Sequence, residues 1–342
     1  MRKIYIVFRH YIVVAFIRTK FINGEYYYYL VAAKRAGGIQ RQTVVKYLGG
    51  REPAEKYAEA HGLKMPCIRE VPERQMESLD KEIAEKFRKL KALRANPVFS
   101  EELRREIMEI WTYNSTTIEG STLTRRETAL AIEEGIVSGA KPLTDYLAAK
   151  GHASAVDLVY GFVKENRAID ESAILELHRA VMVGIFDVEV VGKYRDVQVW
   201  LRGRKYIPLP PEQVPGMMRG MVKQISRTPE NLDPVTHSAG IHLNFESIHP
   251  FQDGNGRVGR LLSNWMLMRA GYPPIIIMAS EKRRYFNALE YGQVRGDPSR
   301  LRFLFKRKMR DALDFYLERA GGSADKTSSR RVVPKPSTKK SK

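Results

Sequence analysis

The chain has 342 residues, 43% apolar and 28% charged, enough for one large domain with extensions or for two, and no apolar run approaches the roughly 20 residues of a membrane span. A single cysteine, Cys67, excludes an intramolecular disulfide and a cysteine-rich zinc site and fits a reducing, cytoplasmic setting. The net charge of +19 is concentrated at the ends: residues 1–50 hold nine Lys and Arg against Glu25 alone, and residues 322–342 hold seven against Asp325 alone. Residues 1–16 are basic and apolar, but Arg9 and His10 split the run and no small-residue cleavage site follows, which argues against export.

Residues 11–50 read as a basic meander of about three strands. Asn23-Gly24 and Gly37-Gly38 supply turns, four consecutive tyrosines follow Glu25, and Gly49-Gly50 closes the unit. Cations interleaved with tyrosines make nucleic acid a candidate partner of this unit and of the basic tail, through phosphate contacts and stacking. A sheet that is merely packed or docks a partner is the alternative.

Residues 51–98 read as a connector broken by Pro53, Pro66 and Pro72, then a charged helix over 77–95. A helix over 100–119 ends at Gly120, and Thr124 with Glu127 forms a capping box for the next. Glu119 thus lies at a helix C-terminus, where the dipole disfavours an anion unless a cation pairs with it. Helices are expected over 143–166 and 171–183, in which His152 and His178 are packing or surface residues, as are His237 and His242 further on. Residues 192–208 alternate apolar and polar side chains around Gly203, which predicts a β-hairpin. Helices follow over 210–226, 232–248, 257–270, 281–293 and 302–319, and a disordered basic tail over 322–342.

The chemistry gathers in twelve residues, from His249 to Arg260. Pro250 stops one helix, and Gly254-Asn255-Gly256 opens the next, so free N–H groups and the positive dipole end form an anion site that glycine lets a phosphate approach closely. Arg257 and Arg260 are three apart and can reach one anion. Asp253 can hold Mg²⁺, and His249 can take a proton from an incoming hydroxyl. The implied reaction is phosphoryl or nucleotidyl transfer.

This stretch resembles the Fic family signature H-x-F-x-[DE]-G-N-G-R-x-x-R at every specified position. The resemblance covers about residues 100–320. It implies a mainly α Fic-type helical bundle over 99–321 with a β-hairpin flap, preceded by the small N-terminal β unit. It also implies transfer of AMP from ATP to a Ser, Thr or Tyr hydroxyl of a target protein that lays an extended segment along the flap. In that frame His249 is the base, Asp253 the Mg²⁺ ligand, Gly254, Asn255 and Gly256 the anion hole, Arg257 and Arg260 the phosphate contacts and Phe251 the loop's buried anchor. Ser115 to Gly120 is similar to the family's inhibitory motif [ST]-x-x-x-E-[GN], which implies that Glu119 pairs with Arg260 and holds the enzyme inactive. Val199, Trp200, Leu201 and Arg202 fall where the flap meets the nucleotide, and Tyr285 and Gln293 near the base.

Removal of AMP, or transfer of UMP, phosphocholine or phosphate, by the same loop are alternatives, and a homo-oligomer is a candidate assembly. The text from Gly24 to Gly50 also resembles the N-terminal hairpin of some transposases. A nucleic-acid-associated regulator that uses the core only to sense nucleotide is therefore a further reading. Attack by a hydroxyl needs His249 neutral, so activity is expected to fall as it protonates, in the ordinary histidine range near 6.5.

Overall fold

The computed structural model describes residues 4–328 apart from 9–10, 23–24, 37–38, 66–72, 94–99, 136–140, 187–188, 202, 205 and 228–231. Cys67, the Asn23-Gly24 and Gly37-Gly38 turns, Arg202 and the end of the tail lie outside the described residues. The chain divides into two units, residues 1–77 and 78–342.

In the first unit the aromatic and β-branched runs form four strands, one more than expected: β1 (Ile4–Phe8), β2 (Tyr11–Ile22), β3 (Glu25–Ala36) and β4 (Ile39–Gly49). They pair antiparallel in the order β1-β2-β3-β4, with Ile22 opposite Glu25 and Ala36 opposite Ile39. The extra strand precedes the expected 11–50 meander; Ile4 pairs with Ala15 and Phe8 with Tyr11. Residues 51–60, read as connector, are a helix, α1 (Arg51–Ala60). Pro53 sits in its first turn, where a missing N–H matters least. Ala54 and Ala58 bury against Ala15, Ile17, Tyr28, Leu30 and Leu48 of the sheet. Two alanines are too weak an apolar signal to announce that face.

The second unit is helical. After α2 (Glu73–Lys91), which begins in the first unit, come α3 (Glu101–Glu119), α4 (Arg125–Glu133), α5 (Leu143–Lys164), α6 (Glu171–Met182), α7 (Val214–Ser226), α8 (Pro234–Ile248), α9 (Asn255–Arg269), α10 (Lys282–Arg295) and α11 (Ser299–Ser328). Local chemistry sets several starts: the Ser100 hydroxyl accepts from Leu103 N–H, Thr124 and Glu127 complete the capping box, and Asp233 accepts from Val235 and Thr236 N–H. α11 runs past Gly321-Gly322 to Ser328, so seven residues assigned to a disordered tail are helical. Each glycine weakens a helix by only about 1 kcal/mol, less than it takes to stop one already propagating.

α9 is buried on nearly every side, packed against α8, α5, α6 and α3, with Val258, Leu261, Leu262 and Trp265 in the core. Its first turn is thereby fixed from four directions. The expected hairpin over 192–208 forms no strand among its described residues. Its bend at Gly203 (φ 73°) is closed by Arg204 N–H to Leu201 O at 3.1 Å. The arms are joined by the Gln198 amide, which donates to Val199 O and to Pro208 O, rather than by a main-chain ladder. Pro208 and Pro210 have no N–H to offer one.

Candidate active site

α8 ends at Ile248, and His249 takes up the left-handed conformation (φ 52°, ψ 63°), uncommon for a residue with a side chain. Arg195 holds it there. The buried guanidinium donates from Nε to His249 O (2.8 Å) and from Nη1 to Val197 O (2.9 Å), with Nη2 reaching Leu209 O and Ile248 O. Its own N–H donates to Pro250 O at 2.9 Å. One side chain therefore ties both arms of the 192–208 segment to the turn that carries His249. Burial pushes the His249 imidazole down to about 4, against a main-chain hydrogen bond with Glu246 that raises it. His249 is thus neutral through the physiological range; the expected protonation near 6.5 moves to about 4 because water is excluded.

The turn after His249 is self-bracing. The Asn255 side chain accepts from Phe251 N–H (2.9 Å) and donates to Phe251 O (2.8 Å), and Phe251 is fully buried. Phe251 stacks on His178, centroids 3.8 Å apart and nearly parallel. Gly192 N–H donates to His178 Nδ1 (2.9 Å), so the proton lies on Nε2, which donates to Asp253 O (3.2 Å). Burial pushes His178 down to about 4, which keeps that tautomer neutral. Gly254, at φ 79°, is the α9 N-cap, and a Cβ there would meet Met182 Sδ at 2.8 Å.

Asp253 Oδ1 accepts from Gly254 N–H (2.6 Å) and Oδ2 from Arg257 Nη2 (3.2 Å), while the rest of its carboxylate faces solvent. Arg260, buried, donates from Nε to Ser115 Oγ (3.0 Å) and from Nη2 to Ser115 O (3.0 Å) and Glu119 Oε1 (2.7 Å). Burial opposes the Arg260 charge, but Glu119, with Tyr285 and Glu246, more than offsets it, so the guanidinium stays firmly protonated. A Cβ on Gly256 would come within 2.2 Å of Glu119 Oε1. The carboxylate therefore lies over the glycine nest itself.

Tyr285 does not present an open face to a nucleoside. It is fully buried, its hydroxyl engaged by His242 Nε2 (2.8 Å) and Arg260 Nη1 (3.5 Å), because α10 turns it into the core. The Ser263 hydroxyl donates to Gly259 O (2.7 Å), so it accepts from His242 Nδ1–H (3.0 Å) and leaves Nε2 to accept from Tyr285. Gln293 Nε2 donates to the Glu246 main-chain carbonyl (3.0 Å). Beside it, burial and the nearby charge of Glu119 lift the Glu246 carboxyl to about 7. Val199 and Leu201 are partly buried on the loop, and Trp200 stands 73% exposed.

The fold brings Ser115, Glu119, His249, Asp253, Gly254, Asn255, Gly256, Arg257 and Arg260 to one place. His178 and Arg195 join them, and sequence reasoning missed both. His178 carries only the signal of a histidine on a helix's apolar face; Arg195 lies in the 192–208 segment, where no nearby residue names its partner.

Residues 168–267 match the Fic/DOC family. The chain is 32% identical over 239 residues to the protein adenylyltransferase Fic of Nematostella vectensis, covering 68% of this chain and 54% of that one. It is 33% identical over 190 residues to the protein adenylyltransferase fic-1 of Caenorhabditis briggsae, covering 55% and 37%. The chain thus spans about half, or less, of the length of these curated relatives. Among solved structures, a Fic domain containing signaling protein from Bacteroides thetaiotaomicron superposes with a TM-score of 0.63 at 30% identity, covering 71% of this chain and 97% of that one. A Fic-1 fragment from C. elegans superposes with a TM-score of 0.65 at 26% identity, covering 72% and 73%.

Proposed function

The chain belongs to the Fic family, and on that premise we propose that it is a protein adenylyltransferase: it moves AMP from ATP to a Ser, Thr or Tyr hydroxyl of a target protein and is held back by Glu119. The observation that carries this reading is an anion, the Glu119 carboxylate, already seated over Gly256 in the α9 nest and bound to Arg260, close to the strained His249 turn. A nucleotide phosphate is the natural occupant of that place, since the first N–H groups of a helix have no internal partner and its dipole favours negative charge.

With Glu119 displaced, the nest, Arg257 and Arg260 bind the phosphates. The target hydroxyl gives its proton to neutral His249 as its oxygen attacks the α-phosphorus, and the bond from that phosphorus to the bridging oxygen breaks, releasing pyrophosphate. Arg195 fixes the base against the loop, and positioning and charge stabilisation supply most of the rate. The 192–208 segment has main-chain groups not engaged in a ladder, which suits alignment of an extended target segment by strand addition. Asp253 fits Mg²⁺: it is a lone, partly exposed carboxylate beside the phosphate nest, as expected for an ion held by one or two carboxylates and substrate phosphates. When bound there, Mg²⁺ would neutralise phosphate charge. No helix among the described residues is long and apolar enough to cross a membrane; a cytoplasmic setting is part of the proposal.

The test is transfer of label from ATP carrying it on the α-phosphorus. Strong labelling of protein by Glu119→Gly, weak labelling by the wild type and none by Glu119→Gly with His249→Ala is the expected result. Label moving only from the γ-phosphorus would replace nucleotidyl by phosphoryl transfer, and equal labelling by wild type and Glu119→Gly would remove the inhibition.

A further inference from the structure

The sheet of the first unit has two dissimilar faces. Along β3, Tyr28, Leu30 and Ala32 point one way and are buried, Tyr28 and Leu30 packing with Ala15, Ile17 and Leu48 on Ala54 and Ala58 of α1. The other face carries Tyr27 and Tyr29, half-buried, and Val31, which is buried, and the register continues it across the neighbouring strands. Arg18 and Tyr47 flank Tyr29, and Phe16 and Val44 flank Val31. The Tyr47 ring lies 5.2 Å from that of Tyr29 and 6.3 Å from that of Tyr27. Tyr47 is 54% exposed and Val44 52%, and Arg18 is exposed.

An antiparallel sheet with one buried face ordinarily shows water a polar one. Here the second face is a cluster of tyrosines instead. The apolar cluster packed on α1 includes none of Tyr27, Tyr29 and Tyr47.

We propose that this face binds single-stranded nucleic acid. Two observations select that occupant. Residues 1–50 hold nine Lys and Arg against Glu25 alone, which favours a polyanion. The exposed Tyr47 ring, grouped with the partly exposed rings of Tyr27 and Tyr29, offers a stacking surface to unpaired bases, whereas a duplex has its bases already stacked on one another and presents only phosphates and groove edges. Stacking is tolerant of base identity, so the expected ligand class is an unstructured strand rather than a defined sequence.

Binding at this face does not depend on transferase chemistry, and its test contains no ATP. The full chain is titrated into fluorescently labelled oligo-dT and oligo-U of about 20 nucleotides and into a duplex of equal length, read by anisotropy. The single strands should bind tighter than the duplex and weaken at least tenfold as salt rises from about 50 to 200 mM. Tyr47→Ala and Tyr27→Ala should each weaken binding about tenfold, with Tyr47→Phe close to wild type and the thermal melt of Tyr47→Ala unchanged, since Tyr47 is exposed. Absence of binding at low salt overturns the proposal. So does preference for the duplex, and so does binding that ignores both tyrosine substitutions, which would assign it to the basic residues 322–342.

Discussion

His249 joins a strained backbone to a desolvated base, and both properties come from neighbours. Arg195 satisfies the carbonyls on either side of the turn, and burial depresses the imidazole to about 4. The sign follows: the active form of a general base is the neutral one, present above its pKa. With chemistry rate-limiting, the activity of Glu119→Gly should show no histidine titration between about pH 5 and 8 and should fall only below about pH 5. A step centred near 6.5 in the pH–rate profile would contradict the buried base. The sequence singles out His249 as the candidate proton acceptor but assigns it the pKa of an exposed histidine, because burial has no local signature.

At the scale of elements, the first turn of α9 meets the C-terminal end of α3 at Gly256 and the C-terminal end of α6 at Gly254, and glycine makes both meetings possible. Gly254→Ala places a side chain at φ 79° and against Met182 Sδ. It should lower stability by about 2 kcal/mol, read as a fall in melting temperature, with loss of transfer. The α3–α9 contact also predicts how Glu119 behaves. In the Glu119–Arg260 pair the arginine side chain is 5% and the glutamate 34% exposed, so Glu119→Gly should destabilise the free protein by only about 1–2 kcal/mol. ATP should then raise its melting temperature more than that of the wild type, because the nest no longer holds a carboxylate; an equal ATP shift in both would mean that Glu119 does not compete with the nucleotide. The 192–208 segment shows the limit of pattern reading in the same region. Its alternation is real, yet its arms meet through a glutamine side chain beside prolines rather than a ladder.

At the scale of the molecule, the chain combines a basic four-stranded unit with a helical body, and the two were legible to different degrees. The helices of the body follow from apolar periodicity and from caps such as Ser100, Thr124 and Asp233, all local signals, so their order and most of their boundaries can be read directly. The same is true of the chemistry between His249 and Arg260, where twelve consecutive residues carry base, carboxylate, nest and cations. The sequence by itself therefore determined where the chemistry-bearing groups lie and the elements that frame them. Only the tertiary structure decided which groups meet: Arg260 finds Ser115 and Glu119, 145 and 141 positions away, Arg195 reaches His249 O across 54, and His178 reaches Asp253 across 75. Contacts at such separations, and the desolvation that sets the His249 proton affinity, are products of packing, and nothing in a local stretch of residues encodes how much water a fold will leave beside it.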